Sequence, residues 1–519
     1  MTPVCPKEFL RATIITCPMT GAECLLRTLA ANGVEVCFMN PGTSEMQFVS
    51  ALDGVPAVRG VLCLFEGVCS GAADGYARMT GRPAATLLHL GPGLANALAN
   101  LHNARKARSA VVNIVGEHTT GHLGYDAPLS SDTEAFAIPV SGWVRMLGSA
   151  TSAGALASEA IAFARTGQVA TLIIPADFSW SDGGAPGAKV AEPPPSAMDV
   201  SLEVPLDQET GILLGHNALL EPGLNAAARV AAALGARVLL DRTGARFLRG
   251  ARPFAPPRLA YFPEAAEQQL AGLKHLILVE CEPPVSFFGY PNRRSLVAPA
   301  DCEYHPFPLP ALIEFARIFP PAPPADLPPQ PPIPEDGPLT ADSLGQTLAA
   351  LLPADAIIAD EMISASEIVH RHLAAAPPHE VLPVAGGAIG QGLPVAVGAA
   401  IACPDRPVIA LEADGSAMYT IQALWTMARE KLNVITIILA NHRYRILDIE
   451  MRRTGAPEHG PKADAMLDLS RPDLDFVKLA EAQGVPATRA ASVAEFADQF
   501  RQALAAGGPR LIEAVLSNQ

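Results

Sequence analysis

The chain carries little charge for its length, and less of it positive than negative. Only 17% of its 519 residues are Asp, Glu, Lys or Arg, and 52 acids against 37 bases leave a net charge of −15. That balance, with no dense Lys/Arg run, argues against a nucleic-acid surface. The nine cysteines are an odd number and none are spaced C-x-x-C, so neither a disulfide framework nor a zinc site is indicated, and reduced thiols fit better. No apolar run is long enough to span a bilayer, and the first 18 residues lack a basic-then-apolar leader pattern. No short repeat period is visible, which argues against a solenoid. A cytoplasmic globular protein, partnered by neither nucleic acid nor membrane, is the expectation that survives.

What is abundant is apolar residue, 49% of the chain, interrupted by two proline-rich stretches at 181–205 and 319–338. Proline at that density cannot continue a helix or a central strand and favours extended spacers. The stretches divide the chain into an N-terminal extension (1–18), a first segment (19–180), a middle segment (206–318) and a third segment (339–519). Apolar runs without polar alternation mark strands covered on both faces. In the first segment these are Val36–Met39, Ala84–Leu88, Val111–Val115 and Thr171–Ile174. The middle segment has Gly211–Leu214, Arg237–Leu240 and Leu276–Val279, and the third has Ala356–Ile358, Val408–Leu411 and Val434–Leu439. With helical patterns between them, the expected fold is α/β, three doubly wound parallel-sheet domains.

In such sheets ligands sit beyond the carboxyl ends of the strands, and polar residues gather at those ends here. Asp414 follows one apolar run and Asn441 the next, offering a carboxylate and an amide oxygen suited to Mg²⁺ or Ca²⁺; an Asp-Gly turn and a loop asparagine are the plainer readings. Glu66 opens a helix rich in small residues, either as an acid favoured by the helix dipole or as a partly buried carboxylate that exchanges a proton with a bound heterocycle. His89 ends a strand before Gly91-Pro92-Gly93, facing a cleft or satisfied within the fold. Thr43, in Asn40-Pro41-Gly42-Thr43-Ser44-Glu45, either caps a helix or faces a ligand. Residues 385–394 form a small-residue loop whose one large member, Ile389, is a wedge or a core side chain, and Glu361 lies at a further strand end.

Together these motifs resemble the thiamine diphosphate enzymes of the pyruvate decarboxylase, acetolactate synthase and benzoylformate decarboxylase superfamily, over nearly the whole chain after residue 19. The family's Gly-Asp-Gly and Asn-Asn hallmark stands here as Ala413-Asp414-Gly415 and Ala440-Asn441. The resemblance implies Mg²⁺ held by Asp414, Asn441 and the Arg443 carbonyl, with Ca²⁺ as a substitute, and diphosphate at Gly415, Ser416 and Tyr444. It implies that Glu66 activates the cofactor, that the Gly387 carbonyl holds its pyrimidine, that Ile389 bends it, and that Glu361 lies among the cofactor-binding residues. The first domain would then bind pyrimidine and the third diphosphate. Thr43 and His89 fall where benzoylformate decarboxylase has a catalytic serine and histidine, while the place of its second histidine is taken by Gly289.

The implied reaction is lyase chemistry on a 2-keto acid through a cofactor ylide and an acyl carbanion. Acetolactate synthase-like joining of two keto acids is the nearest alternative, and a thiamine diphosphate-binding protein with impaired catalysis is another. The middle segment shows no clear dinucleotide loop, so FAD is not expected there. The family pattern implies at least a homodimer, commonly a homotetramer, with the active site shared between subunits.

Overall fold

The computed structural model describes residues 19–191, 205, 207–323, 327, 329–456 and 460–517. The extension 1–18, most of the first proline-rich stretch (192–204) and residues 324–326 and 328 of the second lie outside the described residues. Among the described residues the strands form three parallel or nearly parallel sheets and one short antiparallel pair.

The first sheet has six strands, in the order Arg59–Leu62, Val36–Asn40, Ala84–Leu88, Val111–Glu117, Val169–Pro175 and Trp143–Met146, all parallel. The middle sheet orders Arg237–Leu240, Thr210–Leu214, His275–Val279 and Glu303–Pro306, again all parallel. The third sheet has seven strands: Phe247–Arg249, His379–Pro383, Ile357–Glu361, Val408–Ala413, Val434–Ala440, Arg510–Val515 and Ala487–Ala490. Every apolar run singled out above lies at a strand, because a strand covered on both faces must be apolar at consecutive positions. Of the strands those runs missed, Arg59–Leu62, Trp143–Met146, Phe247–Arg249, Glu303–Pro306 and Ala487–Ala490 stand at sheet edges with residues partly or fully exposed. His379–Pro383 and Arg510–Val515 are instead interior strands whose apolar residues are interrupted by His379, Glu380 and Glu513.

Two features cut across the division by proline. Phe247–Arg249 belongs to the middle segment yet pairs antiparallel with His379–Pro383, closing one edge of the third sheet. The start of the first stretch is no spacer: Asp182–Gly184 pairs with Met19–Thr20, and the chain then runs along helix Gly21–Ala31. Thr28 Oγ1 accepts the Gly187 N–H at 2.9 Å and Asn32 Oδ1 the Val190 N–H at 2.7 Å along that path. Side chains of the helix supply the partners that a ladder would otherwise give.

The first and third segments share one core. Helix Glu66–Thr80 lies against helix Gly392–Ala402 through its run of small residues. An added Cβ at Gly398 would sit 1.9 Å from the Ala72 carbonyl oxygen, and one at Gly75 would sit 2.2 Å from that of Val395. The two backbones therefore touch directly, which only glycine permits. Glu66 stands at the amino end of the first helix, and the 385–391 loop runs into the amino end of the second.

Candidate active site

Glu66 is the first residue of its helix, 7% exposed, and its carboxylate accepts a 3.0 Å hydrogen bond from Asn96 Nδ2. Asn96 comes from helix Leu90–Lys106. Gly91-Pro92-Gly93 lies in the first turn of that helix rather than in a separate glycine turn, since Pro92 removes only an N–H that a first turn leaves unpaired.

His89 precedes that helix and is half-buried, its Nδ1 2.8 Å from Glu45 Oε2. Glu45 is buried, its Oε2 also accepts the Gly42 N–H at 2.7 Å, and its Oε1 has no hydrogen-bond partner. Burial pushes the Glu45 carboxyl up, against the opposing pull of the Gly42 N–H and His89. Sequence reasoning passed over Glu45, because an acid three residues past Gly42 reads as an ordinary first-turn residue. An added Cβ at Gly42 would meet the His89 ring at 2.3 Å, so the glycine is what lets the imidazole lie over that turn. Thr43 caps nothing; it lies inside the short helical turn Thr43–Glu45 with its side chain exposed.

The third sheet builds a second cluster. Asp414 and Asn441, 27 residues apart, meet at the ends of adjacent strands: Asp414 Oδ2 accepts the N–H groups of Asn441 at 3.0 Å and His442 at 2.6 Å, and Oδ1 that of Gly415 at 2.8 Å. Burial raises the Asp414 carboxyl above its usual range, with these N–H groups opposing. Asn441 Oδ1 accepts the Arg443 N–H at 3.0 Å, and the Arg443 carbonyl accepts that of Arg445 at 2.9 Å. The Arg443 guanidinium is held away by Asp448 and Asp464. Tyr444 lies over Gly415, where an added Cβ would meet its ring at 2.3 Å, and Ser416 is buried beside them.

The 385–391 loop is fixed from both sides. Asn103 Nδ2 donates to the Ala388 carbonyl at 2.7 Å and its Oδ1 accepts the Ala388 N–H at 3.1 Å, while Asn100 Nδ2 donates to the Gly390 carbonyl at 3.0 Å. Ile389 between them is half-buried. Gly387 adopts φ +78°, and the Phe287 ring of the middle segment packs against it, bringing the turn that contains Gly289 beside this loop.

Glu361, which the resemblance set among the cofactor-binding residues, bonds the end of the 385–391 loop. Its buried carboxylate accepts the N–H groups of Gly390 at 2.6 Å, Gln391 at 2.8 Å and Gly392 at 2.5 Å, the unpaired donors at the start of helix Gly392–Ala402. Glu412 stands opposite it on the next strand, equally buried, with neither oxygen in a hydrogen bond of ordinary geometry and only a weaker one from the Leu393 N–H. Burial pushes Glu361 up to about 7 and Glu412 well above the carboxylate range.

The site residues thus form two half-sites, one around Glu66 and His89 and one around Asp414 and Asn441. The elements that carry them are bonded to each other within one chain, through Gln391 to Asp74 and Thr426 to the Leu62 carbonyl, but among the described residues no hydrogen bond joins Glu66 or His89 to Asp414 or Asn441. Residues 19–137 match the model of the "Thiamine pyrophosphate enzyme, N-terminal TPP binding domain" and residues 363–514 that of the "C-terminal TPP binding domain". The chain belongs to the thiamine pyrophosphate enzyme family. This enzyme is 51% identical to the "Putative acetolactate synthase large subunit IlvX" of Mycobacterium tuberculosis, over 96% of the chain and 99% of that protein. It is 30% identical to a benzoylformate decarboxylase of Pseudomonas aeruginosa, over 93% of the chain and 96% of that protein. A Rhodococcus jostii thiamine diphosphate-dependent 4-hydroxybenzoylformate decarboxylase shares the fold with a TM-score of 0.80 and 26% identity, covering 96% of this chain and all of that one. Among the described residues of the enzyme no helix is long and apolar enough to cross a membrane.

Proposed function

We propose that the enzyme decarboxylates a 2-keto acid with thiamine diphosphate and Mg²⁺, in a site completed between two subunits of at least a homodimer. The observation that carries this reading is the pairing of two buried acids in one half-site: Glu66 at a helix start and Glu45 behind His89. The second half-site suits the rest of the cofactor. A carboxylate, an amide oxygen and a carbonyl oxygen at Asp414, Asn441 and Arg443 are an all-oxygen set of the kind Mg²⁺ and Ca²⁺ prefer. Gly415, Ser416 and Tyr444 lie beside it for diphosphate, and Gly387 and Ile389 lie on the anchored loop for the pyrimidine.

Bound thiamine diphosphate supplies a thiazolium ring able to take up the electron pair released as CO2 leaves. Glu66, held by Asn96, keeps a proton at a pyrimidine ring nitrogen. His89 donates and accepts a proton at the substrate carbonyl oxygen, and Glu45 fixes which nitrogen of His89 is free to do so. Thr43, exposed in one chain, faces the substrate from the same turn. Glu361 acts indirectly, by anchoring the helix that carries the loop. Two half-sites on separate sheets of one chain are the arrangement a shared site requires, with each subunit giving Glu66 to one centre and Asp414 to the other.

Carboligation of two keto acids is the second reading, favoured by the 51% identical relative with its acetolactate synthase name. Incubation with pyruvate, benzoylformate and branched-chain keto acids, with the products identified, separates the two. Aldehyde and CO2 are expected; acetolactate as the dominant product overturns the decarboxylase reading. Exchange of the thiazolium proton, followed by NMR, tests competence itself. Acceleration over free cofactor is expected for the wild type and not for Glu66→Gln, and no acceleration by the wild type overturns both readings.

A further inference from the structure

Outside these half-sites, the middle sheet brings three metal-ligating side chains to one face. His275 begins the strand that pairs with the edge strand Glu303–Pro306, and its register partner is Glu303. Residues two apart on a strand share a face, so His305 stands beside them. His275 Nδ1 and His305 Nε2 are 3.2 Å apart, and Glu303 Oε2 is 3.6 Å from the first and 4.0 Å from the second. One ligand atom from each of the three lies within 4.8 Å of the others.

We propose that His275, Glu303 and His305 form a binding site for a divalent transition cation of the zinc class. Zn²⁺ takes imidazole nitrogen and carboxylate oxygen at about 2.0–2.1 Å in a tetrahedron, which puts neighbouring ligand atoms about 3.3 Å apart. The nitrogen pair already has that separation. The two longer arms both run to Glu303, whose side chain is 71% exposed and free to rotate inward, while the imidazoles are only 21% and 24% exposed. A hydrogen bond between the histidines would explain the short nitrogen pair, but it gives no reason for a carboxylate to face both rings. Two histidines and one carboxylate leave the fourth position of the tetrahedron for water. Because the ligands come from adjacent strands, the ion would clip the edge strand to the interior of the middle sheet. The cysteine spacings that argued against zinc are silent here, since the ligands meet only through strand pairing.

The experiment uses tag-free holoenzyme stripped of adventitious metal by a chelator and then resupplied with thiamine diphosphate and Mg²⁺. Zn²⁺ is titrated by competition with a chromophoric chelator, and Co²⁺ is added separately to read its visible absorption. The expected result is one equivalent of Zn²⁺ per chain, an intense tetrahedral Co²⁺ band, and loss of both in the His275→Ala/His305→Ala variant. An Asp414→Ala variant is expected to keep both, which separates this site from the Mg²⁺ site. Equal Zn²⁺ binding by wild type and the double-histidine variant overturns the proposal, as does absence of the Co²⁺ band in the wild type. Circular dichroism and an unchanged rate with the keto acid in zinc-free buffer containing thiamine diphosphate and Mg²⁺ show that the double variant is folded.

Discussion

Replacing Gly398 by alanine tests whether the two half-sites share a single mechanical support. The new Cβ would lie 1.9 Å from the Ala72 carbonyl oxygen and 2.6 Å from the Tyr76 nitrogen, both backbone atoms of helix Glu66–Thr80. Ordinary contact lies at about 3.5 Å, so the helices must part by roughly 1.5 Å at this level, and no flexible side-chain end is there to give way. Overpacking of this kind costs about 1–3 kcal/mol, and backbone-on-backbone contact places it at about 2–3 kcal/mol. In a folding unit of ordinary size that lowers the thermal midpoint by about 4–12 °C. Gly121→Ala is the matched control, since its added Cβ meets nothing within 4 Å. Differential scanning fluorimetry reads the stability, and fluorescence quenching by thiamine diphosphate reads cofactor affinity. Because Glu66 and the 385–391 loop lie at the amino ends of these two helices, cofactor affinity is expected to fall along with stability. A Gly398→Ala protein with the midpoint and affinity of the Gly121→Ala control would refute the close-contact argument.

Glu45→Gln removes the charge from a buried hydrogen bond to His89, an interaction worth about 1.5–3 kcal/mol, so kcat on the accepted keto acid should fall about ten- to a hundredfold with the thermal midpoint little changed; a rate within twofold of wild type counts against a positioning role. Asp414→Ala should abolish the thermal stabilisation that thiamine diphosphate with Mg²⁺ gives the wild type, and an undiminished shift would remove Asp414 from the metal site. Glu361, raised to about 7 by burial, binds a proton in the folded state that it has lost in the unfolded chain between about pH 4.5 and 7. Its contribution is therefore fully present below pH 4.5 and is lost as pH rises to 7, at up to about 1.4 kcal/mol per pH unit. Glu412 acts in the same direction, so the wild-type-minus-Glu361→Gln difference in urea-melt stability isolates the effect; a pH-independent difference would disprove it.

The sequence was most readable where burial leaves a continuous apolar mark. Val408–Leu411 and Val434–Leu439 announced neighbouring interior strands, and their ends did bring Asp414 and Asn441 together. Edge strands such as Glu303–Pro306 have one side open to polar residues, so no apolar run betrayed them. Strand ends also locate a side chain without giving its direction. Asp414 and Glu361 looked alike in sequence, yet one gathers N–H groups beside Asn441 and the other caps a helix from within the core. Glu45 was hidden for a different reason. Its partner His89 is distant in sequence and comes from the neighbouring strand, so no local spacing could mark the pair.

The antiparallel strand Phe247–Arg249 has a bearing on how such enzymes can be recombined. It is encoded within the middle segment but is the outermost strand of the third sheet. Excising or exchanging residues 206–318 as a cassette would strip the His379–Pro383 strand of its neighbour and leave a bare row of N–H and C=O groups, the kind of edge that invites aggregation. A chimaera cut at the proline-rich stretches therefore needs this three-residue strand from a compatible donor. The boundary that matters for shuffling follows the hydrogen bonds of the sheet, and it does not coincide with the prolines.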